Sequence, residues 1–356
     1  MYNNMPKLLS TICLEASYNL AEPCVAVLCK GQTAFSGTFM MRSRDLIGYA
    51  GRSPSVIWPN GARVAVSLVV NFEEGAELAV GDGDDSSERI GEVISVVQPG
   101  RRDFGQEEIF AYGMRAGLWR FLDALEQHKR LTTFYMCGRA VERLPQLAAE
   151  IVKRGHEPAC HGWLWRPHAD FTDRVEEKAS LVRCIDVIRK VTGERPLGFC
   201  CRGSQSVHTR DLLTELGFLY DSNGFDDDLP YVAPTSQSQI LVVPYAFDCN
   251  DMKFFHPNGF VEPEQFVRYA SAALSTLLEE AERGRSSLLN IGLHLRICGR
   301  PARFAAVRGI LKLLDELGDR VWVARRVDLA RHWLASVSQE APTDIRISSA
   351  PSRGRS

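Results

Sequence analysis

Net charge is nearly absent from this chain: 42 Lys and Arg stand against 44 Asp and Glu, leaving −2. So weak a field offers no general attraction to nucleic acid or to an anionic bilayer. No apolar run is long enough to span a membrane. No pair among the ten cysteines has CxxC spacing. The first ten residues hold a single Lys, and Glu15 interrupts the stretch after them, which makes a poor secretory signal. Free thiols in a reducing cytoplasm are therefore expected, rather than structural disulfides. A glycine-rich phosphate fingerprint is also missing, which disfavours a doubly wound nucleotide-binding sheet.

What is present is ordinary for a folded protein: 45% hydrophobic and 24% charged residues in a chain of 356. Residues 1–42 lack helical or strand periodicity and hold Cys13, Cys24 and Cys29; they read as an atypical extension, with Met40 and Met41 as alternative starts. Residues 337–356, rich in Ser, Pro and Arg, read as a disordered tail. Between them, residues 43–336 read as one catalytic domain. Strands are expected near 63–71, 131–136, 157–161, 197–201, 218–221, 240–243, 287–293 and 320–324. Helices are expected at 140–153, 171–191, 209–216, 263–282 and 302–317, with Pro145 in an early turn of the first or at its true start. Such alternation predicts an irregular (β/α) barrel of about seven parallel strands.

The apolar run ending in Phe72-Glu73-Glu74-Gly75 reads as a strand buried on both faces. Two carboxylates at its exit are costly to desolvate unless they have partners or chemistry. Further candidates stand after later strands: His161 in Cys160-His161-Gly162, Arg202 after Cys200-Cys201, Asp221, and His294 at the end of an apolar run. His168 lies seven residues past His161, and Arg296 two past His294. Each has a plain alternative. A histidine can be a satisfied structural donor, Arg202 can pair with a nearby acid, and Cys200-Cys201 can be two small buried side chains. Asp226-Asp227-Asp228 reads as a solvated turn. In a parallel barrel, however, residues just past the strands converge on one rim.

These landmarks resemble the polysaccharide deacetylase (NodB-homology) superfamily. Its FDDG, HxxxH, Arg, Asp and LH pieces correspond here to Phe72-Glu-Glu-Gly75, His161 with Trp165, Arg202, Asp221 and Leu293-His294. Both aspartates are glutamates, and the second ligand histidine is Trp165. Those departures resemble the branch of metal-independent, PuuE-type allantoinases and cyclic imide hydrolases. The strings carrying this are Arg44-Asp-Leu-Ile-Gly-Tyr49, Trp58-Pro-Asn-Gly-Ala-Arg63, Asn71-Phe-Glu-Glu-Gly-Ala-Glu77, Asn250-Asp251-Met252 and Gly292-Leu-His-Leu-Arg-Ile-Cys-Gly-Arg-Pro301. Against that branch, Cys200-Cys-Arg-Gly-Ser204 stands where Gly-Arg-Thr is usual, and His168 where Tyr is usual.

The resemblance implies a NodB-like deformed barrel and hydrolysis of carbon–nitrogen bonds. The expected roles are Glu73 as base toward water, His294 as proton donor to the departing nitrogen and Arg202 at the oxyanion, with Glu74 as partner acid and His161 and Asp221 orienting. Trp165, His168, Asp221 and Arg296 are expected at the substrate. No cofactor is expected; a divalent metal such as zinc, if bound, would take Glu74, His161 and His168. Without a Lewis acid, a strained cyclic amide is an easier target than an N-acetyl sugar. Two other readings are a metal-dependent deacetylase of amino-sugar oligomers and a non-catalytic binding protein. The expected partner is a small molecule, with no nucleic acid or membrane. A homo-oligomer is implied by resemblance only.

Overall fold

The computed structural model describes residues 44–340; Cys13, Cys24, Cys29, Met40, Met41 and positions 341–356 lie outside the described residues. Among the described residues, nine strands form one sheet: β1 (Val64–Phe72), β2 (Thr133–Met136), β3 (Glu157–Cys160), β4 (Gly198–Phe199), β5 (Tyr220–Asp221), β6 (Tyr231–Pro234), β7 (Gln239–Val242), β8 (Ser287–His294) and β9 (Val321–Val323). The spatial order is β6-β7-β5-β4-β3-β2-β1-β8, with β9 beside β1. All pairings are parallel except the β6–β7 hairpin. The expected count of about seven parallel strands becomes eight, plus the antiparallel β6.

The sheet curls into a deformed half-barrel. One edge of β1 pairs with β8 along its length, while the other is shared: Val64–Val66 face β9, and Val69–Phe72 face β2. Beyond β7, a single parallel bridge from Asn250 to Gly292 brings the far end of the sheet back to β8. The parity of β1 sorts its side chains. Val64, Val66, Leu68, Val70 and Phe72 join the large core with the helices. Val69 packs inside with Tyr135, Ala159, Cys200 and Tyr245. The period of two therefore directs Asn71 and Glu73 inward.

Helices cover the outside: α1 (Phe104–Tyr112), α2 (Leu118–Gln127), α3 (Gly138–Arg143), α4 (Pro145–Lys153), α5 (Arg174–Thr192), α6 (Thr209–Glu215), α7 (Pro263–Glu282), α8 (Pro301–Leu317) and α9 (Arg326–Glu340). Pro145 opens a second helix rather than lying inside one, because Leu144 leaves helical geometry at φ −126° and ψ 53°. Gly193, at φ 79°, ends α5 in a left-handed cap. The stretch 104–127, beyond the expected alternation, joins α1 to α2 through a π-helical turn, Gly113–Gly117. Both end glycines are required by close approach. A Cβ on Gly113 would lie 2.6 Å from Glu74 Oε1, and one on Gly117 2.2 Å from Leu295 O. The turn thus packs directly on the rim of the barrel. Arg326, at the head of α9, fills the interior below, donating to Asn290 Oδ1 (2.6 Å), Ser222 Oγ (3.1 Å) and Pro244 O (2.7 Å). Among the described residues, no helix is long and apolar enough to cross a membrane.

Candidate active site

The ends of β1, β3 and β8 bring Glu73, His161 and His294 together at the C-terminal rim. Glu73 is fully buried. Its Oε1 pairs with Arg296 Nη1 and lies 3.6 Å from His294 Nε2. Its Oε2 lies 3.3 Å from His161 Nε2 and has no hydrogen-bond partner. Burial alone pushes the Glu73 carboxyl up. The Arg296 guanidinium, with His294 and His161, overrides burial and holds it well below the usual carboxylate range. The carboxylate is therefore anionic and weakly basic, which removes the simple expectation that it alone takes the proton of water.

Glu74 differs. Its Oε1 accepts from the backbone N–H of Arg296 at 2.9 Å. Burial pushes its carboxyl up to about 7; Arg296 opposes the rise and anionic Glu73 adds to it. Two adjacent acids thus hold different charge states near neutrality.

The imidazoles are fixed from behind. His161 Nδ1 lies 2.6 Å from Cys200 O, and a carbonyl can only accept, so Nδ1 carries the proton and Nε2 faces Glu73. His294 Nδ1 donates to Asp251 Oδ1 at 2.6 Å, and its backbone N–H to Asp251 Oδ2 at 2.8 Å. Burial lowers the His294 pKa, but Asp251 and Glu73 outweigh it, so the net direction is up. Asn71 Nδ2 lies 3.2 Å from His294 Nε2 and 3.5 Å from Tyr245 OH.

Other candidates are placed differently. Arg202 pairs with Glu88 at 2.5 Å, and its guanidinium lies 3.7 Å from the ring centroid of Trp165. It is neutralised there, and Arg296 takes the place beside Glu73. Trp165 is buried against Phe110, with the Arg296 guanidinium 4.6 Å from its ring centroid. Asp221 pairs with Arg210 at 2.9 Å, not with Arg202 or a histidine. It also accepts from Asn223 N, and Asn223 bonds the backbone of Cys201. Through Asn223 it braces the β4 exit. His168 Nδ1 pairs with Glu177 at 2.9 Å, and its ring packs on Phe171 and Phe199.

The metal set Glu74, His161 and His168 does not assemble. Among the described residues, no group of three or more His, Cys, Asp or Glu side chains is arranged to hold a metal ion. Glu74 faces a backbone N–H, His168 is held by Glu177, and Trp165 has no donor for a cation. The donor chemistry does not fit zinc, which wants three protein ligands around an open position.

Two residues at the centre escape strand-exit reasoning. Asn71 precedes the acid pair, and Asp251 opens a short 3-10 helix, Asp251–Phe255, after the Asn250 bridge. The only sequence signal for either is the motif strings.

Residues 109–220 match the polysaccharide deacetylase family model. A Schizosaccharomyces pombe protein, provisionally named a polysaccharide deacetylase, is 34% identical over 319 residues, covering 83% of this chain and 98% of its own. The solved structure of PuuE allantoinase is 38% identical with a TM-score of 0.78, covering 83% of this chain and 98% of that one. A Pseudomonas aeruginosa PAO1 structure, provisionally assigned as a polysaccharide deacetylase, is 39% identical with a TM-score of 0.77 and the same coverage. Fold and likeness together define a hydrolase of carbon–nitrogen bonds other than peptide bonds. More narrowly, the chain belongs to the polysaccharide deacetylase family.

Proposed function

We propose that this hydrolase opens a small cyclic amide, of the hydantoin or imide kind, by acid–base activation of water. One observation carries the reading: Glu73 Oε1 is locked to Arg296 with His294 Nε2 3.6 Å away, while its Oε2 is buried, without a hydrogen-bond partner, and faces His161 Nε2 at 3.3 Å. A water or a ring N–H is the natural donor to that oxygen. Water bound there gives its proton to the Glu73–His161 pair, because His161 Nε2 is the open side of a ring fixed by Cys200 O. His294, whose protonated form Asp251 and Glu73 favour, returns a proton to the departing nitrogen. Arg296 supplies positive charge for the developing oxyanion, and its Nε–H has no hydrogen-bond partner. Glu74, with its carboxyl near 7, is a further proton reservoir beside it.

A strained ring is favoured on physical grounds. A Lewis acid is worth several kcal/mol of transition-state stabilisation, and an unstrained acetamide needs it most. Ring opening keeps the leaving nitrogen tethered, so its protonation by His294 is the step that prevents reclosure. The likeness to PuuE allantoinase supports the same substrate class.

The test is turnover of allantoin, succinimide-type imides and chitooligosaccharides by the purified protein, with and without a chelator. Ring opening that survives chelation is expected. Acetate release that the chelator abolishes would overturn the proposal in favour of an amino-sugar deacetylase.

A further inference from the structure

An aromatic ladder runs from solvent to the catalytic cluster. Its base is Tyr245, whose hydroxyl accepts from Asn250 Nδ2 at 3.1 Å and lies 3.5 Å from Asn71 Nδ2. Asn71 Nδ2 is in turn 3.2 Å from His294 Nε2. One step outward, the Phe247 ring lies 5.8 Å from that of Tyr245. The Phe225 ring then lies 4.3 Å from Phe247, at an interplanar angle of 31°. The pairing arises from the backbone. Past β5 and β7, Val243 N donates to Asp221 O at 2.9 Å and Tyr245 N to Gly224 O at 2.8 Å. Phe225 and Phe247, a little further along each loop, are thereby brought side by side at the C-terminal rim.

Both outer rings are about half exposed, 44% for Phe225 and 52% for Phe247, although large apolar side chains are usually buried. Tyr245 by contrast is buried and tied by its hydroxyl. The outer pair thus presents ring surface to solvent at the outer end of a run of contacts whose inner end is His294. A carboxylate stands next to each ring in sequence, at Asp226 and Asp248, where they accept from Tyr231 and Tyr269. Negative charge there disfavours anionic ligands.

We propose that Phe225 and Phe247 form an outer subsite for a planar, neutral or cationic substituent carried on the ring of the cyclic amide. This rests on the function proposed above. The scissile amide lies at Glu73 and His294, and the substituent reaches outward past Tyr245 to stack on the phenylalanines. The pair then sets specificity among rings with identical scissile bonds.

The experiment compares kcat/KM for hydantoins carrying methyl, planar aryl or ureido, or carboxylate substituents. The wild type is expected to prefer planar neutral substituents over methyl and to disfavour carboxylate. The Phe225→Ala/Phe247→Ala double variant is expected to cut the planar-to-methyl ratio about tenfold, mainly through KM, as loss of two stacking contacts implies. Phe225→Leu and Phe247→Leu keep bulk without a π face and cover the case in which the double variant fails to fold. Each should lower the ratio severalfold. An unchanged ratio in the double or in both Leu variants overturns the subsite. If the wild type opens no ring, the function proposal fails instead. Calorimetric binding of the same series then decides the subsite, and equal affinity of wild type and variants for the planar ligands overturns it.

Discussion

Replacing Arg296 by Met tests the electrostatic core of the site. Arg296 and Glu73 are both fully buried, and their ion pair is the principal attraction holding the Glu73 carboxyl low. Removing one partner of a buried pair leaves the other uncompensated, at a cost of about 3–5 kcal/mol. With a urea m-value of about 4 kcal/mol/M for a chain of this size, the unfolding midpoint at about pH 7 should drop by about 1 M. The deficit must also depend on pH. In the wild type the Glu73 pKa is depressed below its ordinary 4.5, so its stabilisation is present above that value and lost as pH falls toward the folded value. In Arg296→Met, burial, the largest influence on this carboxyl, is opposed only by His294 and His161, and the pKa is expected to rise above 4.5. The folded variant then binds a proton that the unfolded chain has lost, and its stability improves as pH falls from about 7 to 5, by up to about 1.4 kcal/mol per unit. Adding Glu73→Gln should recover at least half of the loss, because the charge left unpaired by the loss of Arg296 is then removed. Urea titrations at several pH values measure all three proteins. A pH-independent deficit, or no recovery in the double variant, would refute the paired-charge account.

Asp251→Asn removes the strongest support for charge on His294. The alkaline limb of the kcat/KM profile should move to lower pH and kcat should fall about 100-fold or more; an unmoved limb would exclude His294 as the acid. Glu74 has the opposite linkage to Glu73. Its carboxyl is raised from 4.5 to about 7, so its contribution is complete below the unfolded value and is lost as pH rises through the folded one. Glu74→Gln should flatten the fall in stability between those values, leaving the slope from Glu77, whose burial also raises it to about 7. Gly113→Ala forces a Cβ to within 2.6 Å of Glu74 Oε1 and 2.9 Å of Arg296 N. It should cost about 1–3 kcal/mol in stability and lower kcat, and a silent variant would show that the π-helical turn does not press on the site.

Legibility differed from residue to residue. The acid pair at the exit of β1 and the histidines ending β3 and β8 could be picked out because strand periodicity and burial are local. Arg296 could be named but not given its place, since nothing local says which of two arginines meets Glu73. His168 was open to a metal role until its partner was known. Glu177 lies only nine positions away, but the two meet through the turn into α5, not through one helical face. The β6 strand was hidden by its short, half-exposed pattern.

The sequence by itself determined the alternation of strands and helices, the acid pair at the exit of β1, the end of the long helix before Gly193, and the family motifs. Each depends on residues a few positions apart. Only the tertiary structure decided the charge states and partners. Glu73 and Arg296 are separated by 223 positions, and His294 and Asp251 by 43. Their contacts exist because β8 lies beside β1 and the segment past β7 folds back onto β8. Burial at that junction turns two neighbouring glutamates into one anion and one proton carrier, a distinction that no local pattern encodes.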